Sequence, residues 1–223
     1  MRAGALPAQA VVIAKEPLPG RAKTRLTPPF APAEAALLAE AALADTLAAV
    51  AAAPVSRRVL ALDGVRGSWL PAEFDVIPQR GGGLDERLAA AFADTHATLP
   101  LPMVLVGMDT PQVTPRLLAD AAGSLVSGEA DAVFGPATDG GFWLLGLRRP
   151  DRSLLAGVPM SRPDTGRQQI DRLTSAGLRV AMAPVLTDVD TFREAELVAG
   201  EIPGSRFAVA FGQAMAGMAV GKV

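Results

Sequence analysis

The stretch Ala10-Val11-Val12-Ile13-Ala14-Lys15-Glu16-Pro17-Leu18-Pro19-Gly20-Arg21-Ala22-Lys23-Thr24-Arg25-Leu26 decides the fold. Five apolar residues without a charge read as a buried strand, and a loop shaped by Pro and Gly follows it. Beyond the loop, residues 33–53 hold 12 alanines in 21 positions, and Pro32 suits a first helical turn, so a helix is predicted there. Strand, loop and helix in that order make one βα unit, and the pattern then repeats. Short apolar runs at 59–62, 75–77, 103–106, 132–134, 142–147 and 179–183 read as strands. Between them lie helical patterns. One begins near Leu84, with Leu88 and Phe92 on the same face, and one runs from Thr114-Pro115 to about Val126, before Gly128. Another runs from Asp164-Thr165 to Gly177, and Thr191 caps a further one. The alternation predicts an α/β three-layer sandwich around a mostly parallel, mixed sheet.

Composition narrows the function. The chain has 223 residues, half of them hydrophobic and a fifth charged, enough for a sizeable core. A net charge of −2 and a pI near 5.5 argue against nucleic acid as partner, since such binders carry a basic excess. With no cysteine there can be no disulfide, thiolate metal site or Cys nucleophile. The single histidine, His96, falls near a helix C-terminus, where a cation or donor is favourable, and a Ser-His-Asp triad is not expected. No basic segment precedes a long apolar run at the start, so a cytoplasmic location is expected. Residues 1–206 read as one domain. The apolar tail 207–223 is short and interrupted by Gly212, Gly217 and Gly221, which argues against a membrane span and for a helix packed on the domain or on a second copy in a homo-oligomer.

In parallel sheets ligands bind at the carboxyl ends of strands, so the residues following each strand carry the chemistry. The first loop places Lys15, Arg21, Lys23 and Arg25 within eleven residues, with Glu16 as the one acid. It reads either as a cradle for phosphate or diphosphate or as a solvated basic turn; it is neither a Walker A loop nor a dinucleotide fingerprint. Met103-Val104-Leu105-Val106-Gly107-Met108-Asp109 delivers a carboxylate at the sheet edge, which suits Mg²⁺ or Mn²⁺ or caps a turn. Asp139-Gly140-Gly141, followed by Phe142 and Trp143, is a turn or a place where a ligand approaches backbone. Asp188 and Asp190 directly precede the last capped helix, so one reads as an N-cap and the other as a second metal ligand. The run Gln79-Arg80-Gly81-Gly82-Gly83 enters a helix and presents N–H groups to a base or phosphate, or is a flexible connection.

Five ordered motifs carry a family resemblance: Ala14–Leu26, Gly82–Leu88, Gly107-x-Asp109-x-Pro111, Gly135–Gly141 and Asp188–Thr191. Over roughly residues 10 to 200 the chain resembles the DUF2064 group of bacterial glycosyltransferases with a nucleotide-diphospho-sugar transferase (GT-A, Rossmann-like) fold. The Lys23-Thr24-Arg25-Leu26 element is also similar to 2-phospholactate guanylyltransferases and, more distantly, to molybdenum-cofactor nucleotidyltransferases. The resemblance implies a metal-dependent transferase with a nucleotide or nucleotide-sugar donor and a small-molecule acceptor. Glycosyl transfer is expected first; nucleotidyl transfer with pyrophosphate release and a non-catalytic nucleotide-binding module are the alternatives. Lys15, Gly20, Lys23, Arg25, Gln79, Gly82 and Gly83 would hold the nucleotide, with Lys23, Arg25 and Asp109 as catalytic groups. Asp139, Gly140 and Gly141 would line the acceptor side. Asp109 and Asp190, or Asp188 in its stead, would bind Mg²⁺ or Mn²⁺. Met108 stands where many relatives carry a small polar residue.

Overall fold

The computed structural model describes residues 4–220. Seven strands form one sheet: β1 (Leu6–Lys15), β2 (Val55–Asp63), β3 (Asp75–Pro78), β4 (Met103–Gly107), β5 (Ala132–Pro136), β6 (Phe142–Leu147) and β7 (Val180–Met182). Their order is β3-β2-β1-β4-β6-β5-β7, with β6 antiparallel to both neighbours and every other pairing parallel. The helices are α1 (Pro32–Ala52), α2 (Leu84–Thr98), α3 (Pro115–Ser127), α4 (Thr165–Ser175), α5 (Phe192–Glu201) and α6 (Arg206–Val220).

Strand β1 shows why the sheet lies between two helical layers. Its side chains alternate, so Ala8, Ala10, Val12 and Ala14 join a core with Leu43 and Leu47 of α1 and Leu118 of α3. Val11 and Ile13 point the other way, into a second core with Leu88 and Phe92 of α2 and Leu173 of α4. A strand buried on both faces needs apolar side chains at every position, which is what made it legible. Helix α3 begins and ends on local chemistry. The Thr114 hydroxyl accepts from the Leu117 N–H at 3.2 Å, and Gly128 closes the helix at φ 80°.

A third core joins the C-terminal helices to α1. Leu38 and Ala42 of α1 meet Val198 of α5 and Phe207 and Phe211 of α6, with Phe30 between them. Asp45 of α1 accepts the Arg206 N–H at 3.2 Å and the Phe207 N–H at 2.9 Å, so a carboxylate from α1 satisfies the first donors of α6. Among the described residues α1 is the one helix long and apolar enough to cross a membrane, and its apolar residues pack on the sheet and on α6. His96 lies in the last turn of α2, and its Nδ1 is buried without a hydrogen-bond partner.

Candidate functional site

The carboxyl ends of β1 and β4 open onto a cavity of about 570 Å³. The loop after β1 forms one wall. Gly20 takes φ 74° in the turn, and Lys23 itself adopts the left-handed conformation at φ 52° just before a 3₁₀ turn over Thr24–Leu26. Leu26 is buried under that turn and anchors it. The unusual backbone at Lys23 brings its side chain inward until only 4% remains exposed. The ammonium donates to the Val189 carbonyl, lies 2.5 Å from Asp109 Oδ1 and 3.5 Å from Asp190 Oδ1. The ammonium is thus hydrogen-bonded to one backbone oxygen and ion-paired with two carboxylates. Arg25, 70% exposed, reaches Asp190 Oδ2 at 3.1 Å from the solvent side.

Two segments bring the carboxylates together. After β4 the chain turns through Gly107 and Met108, whose sulfur accepts the Lys15 N–H at 3.3 Å, and delivers Asp109 to the cavity. The segment before α5 is held against it by the Val189 N–H, which donates to the Asp109 carbonyl at 2.8 Å. Thr191 caps α5, and Glu194 returns its carboxylate to the Asp190 and Thr191 N–H groups at 2.9 and 2.6 Å. The sequence expectation that Asp188 or Asp190 caps this helix is thereby corrected. Thr191 does so, leaving both carboxylates to the cavity. Asp188 accepts from the Thr110 hydroxyl. Burial pushes its carboxyl up to about 6, repulsion from Asp109 and Asp139 adds to the shift, and the Thr110 hydrogen bond and Lys23 oppose it.

The remaining expected residues divide. Lys15, Gln79, Gly82, Asp139 and Gly141 line the cavity; Gly20, Gly83 and Gly140 do not. Gly140 is needed for another reason. At φ 88° a side chain there would meet the Pro163 carbonyl at 2.0 Å, so glycine lets the turn pack on the loop before α4. The Gln79 amide donates to the Ala14 and Ala61 carbonyls at 2.8 and 3.0 Å, fastening the ends of β1 and β2 and leaving its own oxygen free to accept. The Gly82 N–H is already taken by the Glu86 carboxylate at 2.8 Å, so it does not offer an anion a free donor. Lys23, expected among the phosphate cations, lines the same cavity and lies between the expected metal carboxylates. The cations that face the cavity with more freedom are Lys15, Arg21 and Arg25.

Sequence reasoning missed Thr110, Arg87 and Arg162, all in the cavity wall, where Met160 and Ser161, the segment in which the resemblance leads one to expect a tryptophan and which bears on the acceptor pocket, also lie. Arg87 pairs with Asp63 at the end of β2 at 2.8 Å. Among the described residues Ser161, at φ 57°, is the other non-glycine residue with a left-handed backbone, and it lines the cavity with Arg162 beside it.

Asp109 and Asp190, 42% and 38% exposed, are open to the cavity, as is the exposed Asp139, whereas Asp188 is largely buried. Among the described residues no group of three or more His, Cys, Asp or Glu side chains forms a ready metal cage. Mg²⁺ does not need one, since it commonly binds through one or two carboxylates, waters and substrate phosphates. Asp109, Asp139, Asp188 and Asp190 line the same cavity, and a set of carboxylate oxygens is the donor chemistry a hard divalent cation takes, so the residues present fit such an ion.

Comparison with known proteins bears on the fold. The protein is similar in structure to a candidate nucleotide-diphospho-sugar transferase from Desulfovibrio desulfuricans G20, with a TM-score of 0.85, 24% identity, and coverage of 95% of this chain and 96% of that one. Rv0371c from Mycobacterium tuberculosis H37Rv, in complex with manganese, superposes with a TM-score of 0.51 at 21% identity over 87% of this chain and 98% of that one. A CMP:2-keto-3-deoxy-manno-octonic acid synthetase complexed with CTP gives 0.53 at 14% identity over 88% and 100%. The fold is thus the nucleotide-diphospho-sugar transferase fold, shared by sugar transferases and nucleotidyltransferases. No curated protein matches the sequence. The DUF2064 family, described as uncharacterized protein conserved in bacteria, matches residues 39–162, more than half of the chain, so this protein belongs to the DUF2064 family.

Proposed function

We propose that the protein is a metal-dependent transferase that takes a nucleotide donor in this cavity, with glycosyl transfer from a nucleotide-diphospho-sugar to a small-molecule acceptor as its reaction. The observation that carries the reading is one cavity that joins the exposed cations of the β1 loop to the Asp109–Asp190 pair. Lys15, Arg21 and Arg25 bind the donor's phosphates, where Arg supplies paired donors to phosphate oxygens. Gln79, fixed by its own hydrogen bonds, offers an acceptor oxygen to the base. Asp109 and Asp190 would hold Mg²⁺ or Mn²⁺, which stabilises charge on a departing diphosphate. Asp139, Gly141 and Phe142 face the acceptor, and Met160 and Arg162 line the same cavity. Fixed charges around a developing anion, with the reactants held in line, account for most of the rate enhancement in such transfers.

Nucleotidyl transfer is the second reading. It is favoured by the concentration of cations in the β1 loop, more than a diphosphate needs. Phosphorus NMR of product mixtures separates the two. Release of nucleoside diphosphate from a nucleotide-sugar supports glycosyl transfer, and release of pyrophosphate from a nucleoside triphosphate with a phosphorylated or sugar acceptor supports the second reading. Turnover of neither donor, with nucleotide still bound, reduces the protein to a nucleotide-binding module.

A further inference from the structure

Lys23 is more than a cation near an anion site. Its ammonium is almost fully withdrawn from solvent and is held by the two carboxylates that the proposed function assigns to the metal, with the Val189 carbonyl as third acceptor. Its backbone adopts a conformation that L-residues rarely take, and that cost is sustained by the contacts at the end of the side chain. The surroundings hold the ammonium in place. Leu26 is buried beneath the turn that follows, and Val189 is buried and tied to the Asp109 carbonyl. A monovalent side-chain cation between two carboxylates is a competitor for any divalent ion those carboxylates would bind.

We propose that Lys23 is a resident counter-ion that makes metal binding at Asp109 and Asp190 conditional on the nucleotide. In the free protein the pair is already partly neutralised, and a divalent ion must displace an ammonium held by the Val189 carbonyl and both carboxylates. A donor's phosphates change both sides of this balance: they add oxygen ligands for the metal and offer the displaced ammonium a new anionic partner. The site therefore takes metal and nucleotide together and resists loading by metal alone. This inference rests on the reading of Asp109 and Asp190 as the metal ligands.

The test is a Mn²⁺ titration followed by the electron paramagnetic resonance signal of the free ion, on wild type and on Lys23→Met and Lys23→Gln. Each is measured alone and with nucleoside diphosphates (ADP, GDP, UDP, CDP). Removing one unit charge at contact distance in a partly solvated site should tighten Mn²⁺ binding to the nucleotide-free protein by about tenfold or more. A bound diphosphate should tighten Mn²⁺ binding more in wild type than in either variant. Equal or weaker Mn²⁺ affinity in a variant that still melts cooperatively overturns the proposal. The Gln variant keeps a donor for the Val189 carbonyl in case the Met variant does not fold. A wild-type measurement needs no variant: Mn²⁺ at saturation should raise the reactivity of the Lys23 amine toward reductive methylation relative to Lys15, and unchanged reactivity overturns displacement. Should no nucleotide bind while the variants still gain Mn²⁺ affinity, the proposed function falls and the role of Lys23 stands. Nucleotide binding with no gain in the variants gives the reverse.

Discussion

Replacing Asp188 by Asn should stabilise the protein, by an amount that depends on pH. The carboxyl is buried beside Thr110, and burial together with repulsion from Asp109 and Asp139 pushes its pKa from 3.8 up to about 6. A carboxyl whose folded-state pKa lies above its unfolded value holds its proton more tightly in the folded protein, so ionising it costs stability. The cost is absent below about pH 4, grows between about pH 4 and 6, and is complete above about pH 6. At 1.36 kcal/mol per unit, a shift of roughly two units corresponds to about 2–3 kcal/mol at pH 8. Asn has nearly the same shape, its side-chain oxygen accepts from the Thr110 hydroxyl, and it carries no charge. For a chain of this length about 1 kcal/mol moves the melting temperature by roughly 2–4 °C, so Asp188→Asn should melt about 4–12 °C higher at pH 8 and level with wild type near pH 4. Thermal melts without metal or nucleotide across that range provide the assay. A variant that is less stable at pH 8, or one whose difference from wild type does not change with pH, would refute the electrostatic account of this site.

Other expectations follow from particular contacts. Gly140→Ala places a methyl group 2.0 Å from the Pro163 carbonyl at φ 88°, and should cost about 2–4 kcal/mol in urea denaturation; a loss under about 0.5 kcal/mol would mean that the loop before α4 yields freely. Lys15→Ala and Arg25→Ala should weaken a nucleoside diphosphate about tenfold or more by calorimetry while leaving the bare nucleoside nearly unaffected. Equal weakening of both would make the loop a structural element.

How much of this was legible depended on whether a residue's neighbours in sequence were also its neighbours in space. Strand β6 was readable because its apolar run coincides with its pairing to β4 and β5. Strand β1 began earlier than its apolar run, since Gln9 is fully buried and satisfied by the Leu99 carbonyl and by Arg57. Likewise Arg57 and Arg58 hid the start of β2, although Arg57 pairs with Asp75 on the adjoining strand at 2.7 Å. At the site, the ends of the parallel strands announced Lys15 and Asp109. The direction of Lys23 was not legible, because it depends on one left-handed residue and on a segment more than 160 residues away. Thr110 was hidden for the same reason: its partner Asp188 is 78 residues distant.

The central claim is that Asp109 joins metal to nucleotide in the cavity. Melting temperatures of wild type and Asp109→Ala, with a panel of nucleotide-diphospho-sugars and nucleoside triphosphates, each with and without Mg²⁺, test it most directly. A ligand that binds only the folded state must raise its stability, by about 2.7 kcal/mol at a hundredfold excess over its Kd. The account predicts a Mg²⁺-dependent rise with at least one donor in wild type and its loss in Asp109→Ala, each measured against that protein's own ligand-free melting temperature. A Mg²⁺-dependent rise of equal size in both proteins, or no rise with any donor, would contradict it.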